Sequence, residues 1–83
     1  MKVTVYSKPD CVQCDSTKRF LDRHAIAYET IDLTEDAEAM EFVRGLGYVA
    51  APVVVTDTAH WSGFRNEKLR NLVAEVDTER AKE

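Results

Sequence analysis

Val3 and Val5 alternate with Thr4 and Tyr6 near the start of the chain, and this period of two predicts a short β-strand. Ser7-Lys8-Pro9-Asp10 ends it, because Pro9 continues neither strand nor helix. The period then changes. Cys14, Thr17, Phe20, Leu21 and His24 recur at steps of three and four, with Lys18, Arg19, Asp22 and Arg23 between them, which predicts an amphipathic helix over about 12–24. A second short strand, about 27–32, carries Tyr28 and Ile31. Thr34 stands where an N-cap belongs, and Glu35, Asp36 and Glu38 fill the next turn, where the helix dipole favours carboxylates. The helix so begun carries Ala39, Met40, Phe42 and Val43 and ends near Gly45 and Gly47.

Pro52-Val53-Val54-Val55 is apolar on both alternations, the mark of a buried central strand. Thr56-Asp57-Thr58 is a turn cluster, and Ala59-His60-Trp61 returns as a hairpin strand. From Asn66 onward Leu69, Leu72, Val73 and Val76 sit at i, i+3, i+4 and i+7, the clearest helical stripe in the chain. The order is β-α-β-α-β-β-α, an α/β fold with a four-stranded mixed sheet flanked by three helices on its two faces. The two β-α-β connections imply parallel neighbours, and the short turn at Asp57 implies an antiparallel pair. The domain is expected over 1–76. The charged end, 77–83, has Ala81 as its one apolar residue and is expected to fray.

Composition narrows the function. Eighty-three residues allow one domain. The net charge of −4 argues against nucleic acid or an anionic membrane as partner, since phosphate binding needs a basic surface. The longest near-apolar run, Tyr48 to Val55, is far short of the roughly 20 residues a membrane span needs. Lys2 precedes only Val3-Thr4-Val5-Tyr6 before the polar turn, which is no secretory signal. A soluble, cytoplasmic monomer is the expectation.

The chemistry lies in the only two cysteines, Cys11-Val12-Gln13-Cys14. A disulfide-stapled secreted domain would have more, further apart. Cys-x-x-Cys in a β-α-β context reads as a thioredoxin-like redox pair. Cys11 falls where a strand and a proline turn give way to a helix, so unpaired N–H groups and the positive dipole end favour its thiolate. An ordinary thiol with a pKa of about 8.5 is a few per cent ionised at neutral pH, and one at about 7 is roughly half ionised. Lys8 would add to that effect, and Asp10 and Asp15 oppose it. Cys14, one turn on, lies on the core face and is the natural resolving thiol.

Other chemistry fits less well. Zinc needs four ligands, and Cys11, Cys14, His24 and His60 match no common zinc-finger spacing. A cluster or metal held by the two cysteines alone requires a second chain. His24 suits a helix C-terminus. Trp61 serves equally as a packing anchor or a recognition surface. Pro52, opening the apolar strand, is a candidate cis peptide.

Ser-Lys-Pro-Asp-Cys-Val-Gln-Cys at 7–14, Ala-Pro-Val-Val at 51–54 and Trp-Ser-Gly-Phe-Arg at 61–65 together resemble the NrdH-redoxins, glutaredoxin-like proteins of the thioredoxin fold. The resemblance covers about residues 1–76. It implies a cis-proline at Pro52 facing the cysteine pair. It also implies NADPH-dependent thioredoxin reductase as electron donor, with NADPH used indirectly and no cofactor bound. The implied acceptor is the class Ib ribonucleotide reductase, in deoxyribonucleotide synthesis. Partners would dock on Lys8, Val12, Gln13, Ala51, Pro52 and the Trp61-Ser62-Gly63-Phe64-Arg65 segment. Trp61 and Phe64 would stand where a glutathione site needs small and polar groups. A glutaredoxin that uses glutathione or another small thiol is the alternative. The family often has proline after the arginine, and this chain has Asn66, which is a good N-cap and can start the last helix as well.

Overall fold

The computed structural model describes residues 1–82. Four strands and three helices follow the expected order: β1 Thr4–Ser7, α1 Val12–Arg23, β2 Glu29–Asp32, α2 Ala37–Gly45, β3 Val53–Val55, β4 His60–Ser62 and α3 Asn66–Ala81. The strand order is β2-β1-β3-β4. β1 pairs in parallel with β2 and antiparallel with β3, and β3 pairs antiparallel with β4. The second β-α-β connection thus does not yield parallel neighbours, which corrects the sequence reading. The chain passes β1 and enters on its other side in the opposite direction. Val53 and Val54, 0% exposed, show why: their apolar side chains on both faces need an interior position in the sheet.

Alternation along β1 and β3 divides the core between two faces. Val3, Val5 and Val54 face Phe20 and Leu21 of α1 and Leu69, Leu72 and Val76 of α3. Val53 faces Leu33 and, on α2, Ala39 and Val43, with Tyr6 and Ile31 packed beside them. Thr17 is fully buried on α1, and its hydroxyl is satisfied by donating to the Gln13 carbonyl at 2.9 Å.

Helix starts differ from the pattern-based expectation in two places. Thr34 does not cap α2: Asp36 does, its carboxylate accepting the Ala39 N–H at 3.0 Å. Thr34 is held instead by Asp32, whose carboxylate accepts both the Thr34 N–H at 2.8 Å and its hydroxyl at 2.6 Å. Arg65, not Asn66, is the N-cap of α3, and its side chain makes no capping bond. His24 ends α1 as expected, as its exposed C-cap with its ring on Phe20 at a centroid distance of 4.4 Å, and so is not part of the buried stripe. At the far end, α3 continues past Asp77 to Ala81, and the Arg80 guanidinium donates to the Ala25 carbonyl. Glu83, the last residue of the charged end 77–83, lies outside the described residues.

Candidate active site

The topology brings three loops to one end of the sheet. β1 ends at Ser7 and leads through Lys8-Pro9-Asp10 to Cys11. β3 runs the other way from Val53, opposite Tyr6, so the loop reaching it through Pro52 arrives at the same end. β4 finishes there too, with Ser62 opposite Val53, and leads into the 63–65 turn.

In the first loop Asp10 has φ of +56°, a left-handed conformation that aspartate tolerates better than most residues. This turn delivers Cys11 as the N-cap of α1. Its Sγ accepts the Cys14 N–H at 3.2 Å, so the sulfur occupies the place of a capping oxygen. Cys11 and Cys14 are joined by a disulfide, with their Cα atoms 5.2 Å apart. Cys14 is almost wholly buried at 1% exposure, and Cys11 retains 8%. The helix thus presents one edge of the sulfur pair and hides the other.

The second loop carries a cis peptide between Ala51 and Pro52. The third is fastened to both others. The Ser62 hydroxyl donates to the Ala50 carbonyl at 2.8 Å, and the Gly63 N–H donates to the Pro52 carbonyl at 2.8 Å. The Phe64 N–H donates to Gln13 Oε1 at 3.0 Å, across 51 residues of sequence. Gly63 has φ of +86°, and a Cβ there would lie 3.2 Å from the same Gln13 oxygen, so glycine meets two separate demands.

The residues singled out in the sequence therefore divide. Cys11, Cys14, Gln13, Pro52, Ser62, Gly63 and Phe64 come together, with Val12 projecting from the helix start at 78% exposure. Ala51 is half-buried beside Pro52, and Lys8 and Arg65 are exposed, with Arg65 paired to Glu67 at 3.0 Å. Trp61 is a correction. It is 3% exposed in the core of the α1/α3 face, so it anchors the loop from below and offers no docking surface. Alternation explains this: Trp61 lies opposite Val54, whose side chain points to that core. No group of three or more His, Cys, Asp or Glu that could hold a metal ion occurs among the described residues.

The sequence pattern points to no role for Tyr48 and names His60 only among the zinc candidates. The Tyr48 hydroxyl lies 2.8 Å from His60 Nδ1 and donates to the His60 carbonyl at 3.2 Å. No local signal could have paired residues that meet only through the β3–β4 hairpin.

Comparison with known proteins agrees with this geometry. The glutaredoxin family model matches residues 3–61. The glutaredoxin-like protein NrdH of Lactococcus lactis is 44% identical over 70 residues, covering 84% of this chain and 97% of that protein. NrdH of Escherichia coli is 38% identical over 72 residues, covering 87% and 89%. The solved structure of NrdH-redoxin from Escherichia coli superposes with a TM-score of 0.84, covering 87% of this chain and 95% of that one. A helix-capping sulfur pair at the same end of the sheet as a cis-proline can cycle between dithiol and disulfide, and the chain belongs to the glutaredoxin family, among its NrdH-redoxins, as a thiol–disulfide oxidoreductase.

Proposed function

We propose that this redoxin takes electrons from NADPH through thioredoxin reductase and delivers them to the active-site disulfide of a class Ib ribonucleotide reductase. In this reading the Cys11 thiolate attacks the partner disulfide, forming a mixed disulfide and releasing one partner thiolate, which takes up a proton. Cys14, losing its own proton, then attacks Cys11 Sγ and expels the second partner thiolate. Two electrons pass, the partner leaves as a dithiol, and Cys11–Cys14 is left oxidised. The reductase restores the dithiol at the expense of one NADPH. The redoxin binds no cofactor and acts as a monomer in the cytoplasm.

The observation that carries this reading is the fastening of the 62–65 loop to Gln13. Phe64 is half-buried there, and its N–H is already committed to a side chain of the Cys-x-x-Cys segment. A small thiol seeking that N–H would have to displace the bond. The relative from Escherichia coli is described as glutaredoxin-like with a thioredoxin-like activity profile, which supports the same choice. Cys11, the more accessible sulfur, accepts an N–H at a helix start, and this favours its thiolate as the attacking group.

The test is to supply the purified protein with NADPH and thioredoxin reductase, or with glutathione and glutathione reductase, each with a ribonucleotide reductase as acceptor. Turnover in the first system and little in the second is expected. Preference for glutathione overturns the choice of donor, and no reduction of the acceptor overturns the choice of partner.

A further inference from the structure

Three polar side chains are buried among the described residues, Thr4, Ser7 and Thr17, and of these only Thr17 is wholly shut off, at 0% exposure. It stands on the apolar stripe of α1 with Cys14, Phe20 and Leu21, where a valine of the same shape would bring no polar group to satisfy. Its hydroxyl donates to the carbonyl of Gln13, four residues back, at 2.9 Å. Taken alone, that bond is the ordinary way for a helical threonine to satisfy its hydroxyl.

What sets it apart is the peptide on which it lands. The Gln13 carbonyl and the Cys14 N–H belong to one peptide unit, and that N–H donates to Cys11 Sγ at 3.2 Å. Cys14 is the third residue of α1, so its N–H has no carbonyl within the helix and is given to the sulfur. A line of two hydrogen bonds thus runs from the Thr17 hydroxyl through the Gln13–Cys14 peptide to Cys11 Sγ. A bond accepted at a carbonyl draws electron density through the conjugated amide and makes its N–H a stronger donor. Thr17 and Cys14 are both buried, and the exclusion of water strengthens the effect.

We infer that Thr17 is a positioning residue for the Cys11 thiolate. It holds and polarises the Gln13–Cys14 peptide, so that the Cys14 N–H stabilises negative charge on Cys11 Sγ more than a helix start alone would. This rests on the reading of Cys11 as the attacking thiolate. No proton passes along the line: Cys11 gives its proton to solvent, and the anion left behind is the species stabilised.

The experiment follows the rate at which iodoacetamide alkylates the reduced protein as a function of pH, for the wild type, Thr17→Val and Thr17→Ser. Mass spectrometry identifies which cysteine carries the label. Thr17→Val removes the hydroxyl and should raise the midpoint for Cys11 by about 0.2–0.6 of a pH unit, the share of a bond to a charged group that cooperative polarisation supplies. Thr17→Ser keeps the hydroxyl and loses a methyl group from the core, so it should keep the wild-type midpoint while melting at a lower temperature. A purely structural role would instead move the midpoint with the loss of packing. An unchanged or lowered midpoint in Thr17→Val, or equal shifts in the two variants, overturns the inference. A label on Cys14 in the wild type overturns the assignment of the attacking thiolate, and this role of Thr17 with it.

Discussion

At the scale of single residues, the two cysteines differ because one caps a helix and the other lies in its first turn. The difference in exposure, 8% against 1%, assigns their proposed roles. Cys14→Ser, with Cys11 left to attack, should therefore accumulate a covalent adduct with an oxidised partner, visible by non-reducing electrophoresis. Cys11→Ser should give none, and the reverse pattern would exchange the roles. This much was legible in the sequence, since Cys-x-x-Cys behind a proline turn dictates where a helix begins. Trp61 was not legible. Its neighbours are polar, and only its register against Val54 turns it inward.

At the scale of elements, the hydrophobic pattern located every strand and helix to within a few residues, because each helix buries one face and β3 buries both. It was weaker at their ends. Thr34 has the composition of a cap, yet Asp32 two residues earlier competes for both its donors and wins. The order of strands was half legible: a β-α-β unit fixes β1 beside β2, while the side on which β3 enters depends on what its two apolar faces can find. The β4–α3 junction is the element on which the site depends most. Gly63→Ala should destabilise the protein by about 1–2 kcal/mol, from the left-handed backbone alone, with the Gln13 contact adding to it. Urea unfolding measures this. Gly45→Ala is the control, since a Cβ there meets nothing within 4 Å and its φ is not positive; it should cost nothing.

For the molecule as a whole, stability should narrow from both ends of the pH scale. Hydrogen bonds from the Thr34 hydroxyl and N–H, with Lys18 adding to them, hold the Asp32 carboxyl below its ordinary value. A lowered carboxyl stabilises the fold above its unfolded pKa of about 4 and loses that contribution as pH falls through the folded value. Burial pushes the Tyr6 phenol up, helped by Asp36 and Glu29, and burial with the Asp22 hydrogen bond does the same for Tyr28. A raised phenol contributes below its unfolded pKa of about 10 and is lost as pH rises beyond it. Asp32→Asn should flatten the acid limb of a plot of urea-unfolding free energy against pH and leave the alkaline limb alone. An unchanged acid limb would show that other carboxylates govern it.

The bond from Phe64 to Gln13 also bears on redesign. Exchanging the two residues between paired cysteines is the obvious way to shift the potential of such a couple. In this protein position 13 is also a fastening for the start of α3, so an exchange there edits two things at once. A variant without a side-chain acceptor at that position would report a potential measured on a loosened third loop. Val12 reaches outward, so an exchange there retunes the couple and leaves the Gln13–Phe64 fastening in place.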